Sequence, residues 1–495
     1  MFDVIIRGGT VIDGTGSKGR RADVGIVGER IGAIGDLTSA AARREIAASG
    51  CIVAPGFIDI HNHAHDEAEG GIANIPDADN MLRQGVTTLV GGNCGGGPMP
   101  MGPHLAKVSR MELRQNYACL TGVGSGYAAA LRKHRAKRWS ARTRRTFLRL
   151  LAEDLEAGAI GYSSGLAYTP YIDTQTVIDG AIVAARYGVF YASHMRGEGD
   201  GLLGAIEELI RICRTAGLPG EISHIKCYGK RNWGKAEAAL ALVERANRQG
   251  IDVTADQYPY TGCYTGLASG VLPEWAQRLW RESGSSGRLL RPDVAVELRR
   301  GIAQCLDLIG GAANVILCRR GSRFDGKRLS RVFRGPRDTA KLLRLAKGTA
   351  AIYMAMCERD VETFMAHPLV MTGSDAHLRR PGSGFGHPRN FGTFPRVIAR
   401  YVRARKAIDL ERAVARATSM PARRLGLRER GVLARGKIAD VVVFDPGRIR
   451  DTATFRDGDS YPKGILYVIV AGGAAVDGGK TTARGFGRVI RRGEG

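Results

Sequence analysis

The chain has 495 residues and a formal charge of +25, with 73 Lys and Arg against 48 Asp and Glu. Its 44% hydrophobic and 24% charged residues are the balance of a globular protein and exclude a disordered one. No run of 18 apolar residues exists, so no membrane-spanning helix is expected, whereas the basic charge raises a nucleic-acid-binding reading from the outset.

The first fifty residues read as short strands. FDVIIRGGTVID, ADVGIVGERIGAIG and a run near Cys51 alternate β-branched and small residues between Gly and Asp turns. The same texture returns in KIADVVVFDP and ILYVIVAGGAAVDG near the other end. Either piece alone would leave strand edges unpaired, so residues 1–54 and 425–495 are expected to form one small β-sandwich domain built from both chain termini. The opening segment lacks the charged start, apolar run and small-residue cleavage site of a signal peptide. The nine cysteines are scattered and never in CxxC spacing, which predicts a reducing cytoplasm rather than a disulfide framework.

Between these ends, eight short apolar runs alternate with helical patterns. They lie at residues 53–63, 86–94, 118–125, 159–168, 188–194, 220–226, 251–260 and 369–375. Amphipathic stretches such as 201–217 and 234–250 separate them. Strand and helix alternating eight times predict an α/β fold, a (β/α)8 TIM barrel over residues 55–424. Strands seven and eight are more than a hundred residues apart, which predicts a helical insert over about 275–350, placed as a lid over the barrel mouth.

Barrel active sites lie where strands run out into the following loops. Strand one ends in His61-Asn62-His63, and residues two apart on a strand share a face. Strand two ends at Cys94, strand five at His194, strand six at His224 and strand eight at Asp375. Each of these alone is more often a core or capping residue. Together, imidazole, thiolate and carboxylate at five strand ends point to a zinc site of one or two metals. The remaining histidines, including His65 and His377, lack that placement and are read as structural or supporting.

At this point the motifs GGTVIDGTG, APGFIDIHNH, GGNCG, SHMRGE, ISHIKCYGKRNWGK, VTADQYPYT, GSDA and HPRNFGTFPR resemble the N-acyl-D-amino-acid deacylase (D-aminoacylase) family of the amidohydrolase superfamily. The resemblance runs from about residue 2 to about 445. It implies a zinc-bearing barrel with a small β domain, and metal-dependent hydrolysis of N-acyl-D-amino acids to a carboxylic acid and a free D-amino acid. By motif, Cys94, His194 and His224 match the tight zinc ligands, and His61, His63 and Asp375 match a second, weaker metal position. Asp375 also matches the catalytic acid/base. Lys226, Tyr258 and Arg389 match groups that hold the substrate's carboxylate, and Tyr168 matches a tyrosine lining the pocket.

The chain departs from the family pattern in three places. Ala64 and His65 follow HxH where acidic residues are usual, Cys263 and Tyr264 replace small residues near the substrate, and a glycine-rich, flexible loop follows Cys94. No Lys or Arg lies between Tyr258 and Arg278, which favours a neutral or apolar substrate side chain. The expected partner is a small N-acyl amino acid, with neither nucleic acid nor membrane, and a homo-oligomer stays open. Competing readings are a cyclic amidase of the dihydroorotase or hydantoinase kind, a promiscuous hydrolase of dipeptides or amide-linked toxins, and a basic nucleic-acid-binding protein. The cyclic amidases usually bridge their metals with a modified lysine on strand four, and no lysine stands there. Most of the charge excess sits in residues 132–149, 278–347 and 484–495, away from the strands. With 59 Arg to 14 Lys, biased codon usage explains it, and guidance of an anionic substrate by the insert is the functional alternative.

Overall fold

The structure, a computed structural model, describes residues 1–283 and 287–494. Strands from both ends of the chain build one nine-stranded sheet. The two halves join where Ile52–Pro55 runs antiparallel to Val441–Phe444, with Val441 opposite Pro55 and Phe444 opposite Ile52. The sheet folds upon itself around a core that includes Ile6, Val24, Ile26, Val53, Val441 and Ile469.

The run 53–63, expected as a single strand, is divided at Gly56. Residues 52–55 stay in the terminal sheet, and Phe57–Asp59 opens the barrel. A Cβ at Gly56 would lie 2.3 Å from the Thr87 side chain, so only glycine allows the chain to cross from one sheet to the other here.

Eight parallel strands follow one another around the barrel. The first and last are Phe57–Asp59 and Val370–Thr372. They close the ring just past their ends, through the Asn62–Ala376 bridge. Asp375 N donates to His61 O at 2.7 Å and His63 N to Ala376 O at 2.8 Å. Closure therefore brings the HxH segment and Asp375 side by side. The outer helices follow from amphipathic pattern and caps. Leu202–Ala216 buries Ile206, Leu209 and Ile210 on one face and ends at Gly217 in the left-handed region. Ala141–Glu156 begins with a Ser140 and Thr143 capping box. Among the described residues no helix is long and apolar enough to cross a membrane.

The segment between strands seven and eight corrects one expectation. Helices such as Pro292–Ile309 and Thr339–Ala346 are present, but so is a three-stranded antiparallel sheet of Cys263–Gly266, Ala350–Tyr353 and Val315–Cys318. The unit has its own core around Leu267, Ile302, Leu317, Leu343 and Tyr353. Four-residue apolar runs such as VILC and AAIY are too short to be told from helix by period. Residues 284–286 of the expected insert lie outside the described residues.

The chain's last described stretch also departs from the terminal domain to which 425–495 was assigned. Tyr117 N donates to Arg488 O at 2.9 Å and Ile490 N to Tyr117 O at 2.8 Å, which lays the tail along the third barrel strand. Ile490, 2% exposed, joins Leu120, Ile160, Leu425 and Leu427 in the barrel's interior cluster. Ile490→Ala is expected to cost about 2–5 kcal/mol in equilibrium urea unfolding. A change below about 0.5 kcal/mol would mean that the tail does not pack there.

Candidate metal centre

Six side chains from five strand ends meet at the mouth of the barrel. Cys94 Sγ is their common corner. It lies 3.5 Å from His61 Nε2, 3.9 Å from His63 Nε2, 3.6 Å from His194 Nδ1 and 3.6 Å from His224 Nε2. Asp375 Oδ1 is 2.9 Å from His63 Nε2 and 3.6 Å from His61 Nε2. Two donor groups result, Cys94 with His194 and His224, and Cys94 with His61, His63 and Asp375.

These spacings fit a metal. With zinc–sulfur about 2.3 Å and zinc–nitrogen about 2.0 Å, the edge of a coordination tetrahedron is roughly 3.5 Å. The Cys94 contacts to His194 and His224 have that length. A set of thiolate, imidazole and carboxylate suits zinc rather than magnesium or calcium. The electrostatics agree. Burial opposes ionisation of Cys94, yet the facing imidazoles, His61 foremost, hold its thiol well below the usual range. Burial likewise opposes protonation of His61, but Asp256 and then Cys94 hold it well above.

The backbone holds these donors under strain. Seven described non-glycine residues have positive φ, and three of them are Cys94 (55°), His224 (39°) and Asp375 (53°). Such conformations cost of order 1–3 kcal/mol each and persist only when the surroundings enforce them. At Cys94 the enforcement is visible. A Cβ on Gly165, at the end of strand four, would lie 2.0 Å from Cys94 O, so the cysteine loop rests directly on that strand. Gly95 N donates to Ser163 Oγ at 3.2 Å, and Gly95 O accepts from Gly124 N at 3.0 Å and Ser125 N at 3.2 Å. The loop that its glycines marked as flexible is clamped at Cys94.

A second layer fixes the rings, and the sequence reading missed it. Asp256 Oδ2 is 3.1 Å from His61 Nδ1, which leaves Nε2 to face Cys94, while Asp256 Oδ1 accepts from His224 N at 3.0 Å. Glu198 stands behind the other two histidines, with Oε1 3.0 Å from His224 Nδ1 and Oε2 3.7 Å from His194 Nε2. Burial opposes its charge, but Lys226 foremost holds Glu198 below the ordinary carboxylate range. The signals were present as the Glu of SHMRGE and the Asp of VTADQYPYT, motifs used without a role for either carboxylate.

The residues expected at the substrate separate into two groups. Arg389 is buried with NH1 2.5 Å from Asp375 Oδ2, and its guanidinium lies 5.0 Å from the Tyr258 ring centre. Arg389 Nε and NH1 and the Tyr258 hydroxyl are buried without hydrogen-bond partners among the described residues, so the Asp375 contact is an ion pair without hydrogen-bond geometry. Tyr168 lies beside them, its ring 4.5 Å from His194. Lys226 is different. Its Nζ pairs with Glu198 and sits 2.8 Å from His224 Nδ1, behind the donors. Of the histidines set aside, His65 accepts from Gly92 N at 2.8 Å and burial pushes it down to about 3. His377 stacks on His63, with ring centres 4.9 Å apart.

Between the barrel loops and the insert lies a cavity of about 1120 Å³ that His63, Tyr168, Tyr264, Asp375 and Arg389 line. If the donors are a zinc site, Cys94→Ala removes the corner common to both groups, and elemental analysis is expected to find the purified protein depleted of zinc. Asp256→Asn, which disturbs both the His61 ring and the bond from His224 N, is expected to weaken zinc by about 10–100-fold in a chelator competition. Undiminished zinc in Cys94→Ala would contradict the assignment.

Comparison with known proteins gives the same picture. Residues 344–475 match the model of the amidohydrolase family. The chain is 38% identical over 515 residues to the N-acyl-D-glutamate deacylase of Alcaligenes xylosoxydans xylosoxydans, covering 99% of this chain and 97% of that protein. The crystal structure of an N-acyl-D-glutamate deacylase from Bordetella bronchiseptica, complexed with zinc and a phosphonate mimic of the tetrahedral intermediate, is similar with a TM-score of 0.83 at 34% identity, covering 99% of each chain. A D-aminoacylase with a binuclear metal centre, in which one metal activates and the second attenuates, gives a TM-score of 0.83 at 32% identity, covering 99% of this chain and all of that one.

Proposed function

The chain belongs to the N-acyl-D-amino-acid deacylase family of amidohydrolases, and from that premise we propose how its own residues divide the work. It is a zinc-dependent hydrolase that cleaves the amide bond of N-acyl-D-amino acids, releasing a carboxylic acid and a free D-amino acid. The observation that carries the assignment of roles is the Cys94-centred donor set with Asp375 and Arg389 at its edge.

Cys94, His194 and His224 hold the tight zinc, and His61, His63 and Asp375 with Cys94 offer a second, weaker position. This order follows the motif match, since Cys94 lies as close to His61 as to His194 and His224. Zinc supplies Lewis acidity towards the amide carbonyl and the attacking water. Asp375 is the catalytic acid/base. Burial opposes its charge, but Arg389 foremost holds it well below the carboxylate range, so it stands ionised. Its carboxylate accepts a proton from the water as the oxygen attacks the amide carbon. It then returns that proton to the departing nitrogen, which would otherwise leave as an unstable anion.

Arg389 and Tyr258 hold the substrate's α-carboxylate. The Arg389 Nε and the Tyr258 hydroxyl, both buried without a hydrogen-bond partner among the described residues, support this, because buried donors left without an acceptor are costly. Anchoring the carboxylate fixes where the scissile amide lies relative to Asp375. Tyr168 lines the pocket beside His194. Lys226 acts through Glu198 and His224 and is a positioning residue on this reading. All nine cysteines are free, which supports a reducing compartment such as the cytoplasm.

The zinc-loaded protein is expected to hydrolyse N-acetyl-D-methionine and to leave N-acetyl-L-methionine, hydantoin and dihydroorotate largely untouched. Asp375→Ala is expected to retain the tight zinc and to lose about 10²–10⁴-fold in kcat. Full activity in Asp375→Ala, or turnover of the cyclic substrates alone, would overturn this reading.

A further inference from the structure

Away from the metal centre, a separate cavity of about 460 Å³ opens where the barrel meets the terminal sheet. Four cations line it: Arg83, Arg448, Arg450 and Lys463. Arg83 directly follows the short barrel helix Asp79–Leu82. The other three stand on the connection between the strands Val441–Phe444 and Ile465–Val470 of the terminal sheet.

Among the described residues no carboxylate lies within ion-pair distance of these four side chains. The acids shortly before Arg83 in the chain are engaged elsewhere, Asp79 with Arg114 at 3.0 Å and Asp77 with Arg380 at 3.1 Å. The one carboxylate in the lining is Asp445, whose Oδ1 accepts from Gly447 N at 2.8 Å and Arg448 N at 3.1 Å. Arg450 and Lys463 also face each other. Arg450 N donates to Lys463 O and Lys463 N to Arg450 O, both at 3.0 Å, so they form a hydrogen-bonded antiparallel pair with side chains on one face. Like charges directly opposite in this way destabilise the pair. The two backbones are pressed together here, since a Cβ on Gly464 would lie 2.3 Å from Ile449 N and Cα. Arg83 is held too, its guanidinium 4.1 Å from the Tyr461 ring centre. The fold thus gathers cations at a cost that an anion in the cavity offsets.

We propose that Arg83, Arg448, Arg450 and Lys463 form a binding site for a small polyphosphate, at the junction of the barrel and the terminal sheet. The site is distinct from the metal centre, and the inference is independent of the hydrolase reading. Guanidinium forks and a lysine point charge suit phosphoryl oxygens. The cavity lies within the roughly 300–1000 Å³ usual for small-ligand sites, so it has room for linked phosphoryl groups that meet all four cations, where a lone phosphate meets only some of them. Among the described residues no aromatic side chain lines it, so the phosphate chain and not a nucleobase is what it recognises. A bound chain bridges Arg83 of the barrel to the terminal sheet and stabilises the folded protein.

Isothermal titration of the zinc-loaded protein with tripolyphosphate and with ATP, at about 150 mM salt, tests the site. Saturable binding at one site per chain is expected, weakened by roughly tenfold or more in Arg450→Gln. Comparable affinities for the two probes mark an inorganic chain as sufficient, and a much tighter ATP marks a nucleotide as the source. Both probes also chelate zinc, but Arg450→Gln keeps every metal donor, so that contribution is common to variant and wild type. Lys463→Glu turns the opposed cations into an ion pair; it is expected to melt higher than wild type without a probe and to lose binding. Arg211→Gln removes an exposed charge on the helix Leu202–Ala216, outside the cavity lining, and is expected to bind as wild type does. The site is overturned if neither probe binds saturably, if Arg450→Gln and Lys463→Glu bind as tightly as wild type, or if Arg211→Gln loses as much affinity as they do.

Discussion

Everything at this site depends on where one sulfur atom is held. Cys94 Sγ lies within 3.9 Å of four imidazole nitrogens from three strand ends, and among the described residues no other side chain belongs to both candidate donor groups. To put it there, the chain turns through the left-handed region at Cys94 and rests the cysteine's carbonyl on Gly165 of strand four. The same strain recurs at His224 and Asp375. Ring closure between strands one and eight then sets His61, His63 and Asp375 against the sulfur from the other side. Barrel geometry and metal chemistry are therefore one constraint: the strand ends converge, and the strained corners aim the donors inward.

Behind the donors stand two buried carboxylates with different tasks. Asp256 fixes the tautomer of His61 and ties the His224 backbone to strand seven. Glu198 serves His194 and His224 together and anchors Lys226. A metal-binding imidazole needs such a partner to hold its ring orientation. Arg389 completes the arrangement from outside, pairing with Asp375 and holding that carboxylate well below its usual range.

The sequence made the strands and the donors legible because both carry local signals. An apolar run bounded by polar residues marks a barrel strand, and a His, Cys or Asp at its end marks a strand terminus. The six residues that meet at the barrel mouth were reached that way. What escaped depends on contacts between distant segments. The break at Gly56 is set by Thr87, thirty-one residues on. The insert's antiparallel sheet consists of runs too short for periodicity to classify. The tail's place beside Tyr117 is a backbone pairing across more than 370 residues. Glu198 and Asp256 lay in recognisable motifs, but only the fold shows which ring each one touches. The charge excess divides in the same manner: +25 is a property of the composition, whereas the gathering of Arg319, Arg320 and Arg379 on one wall is a property of the cavity.

X-ray absorption at the zinc edge of the zinc-loaded wild-type protein tests the central claim most directly. The account predicts a sulfur scatterer at about 2.3 Å together with imidazole nitrogens near 2.0 Å. A shell of nitrogen and oxygen alone, with no sulfur, would contradict it.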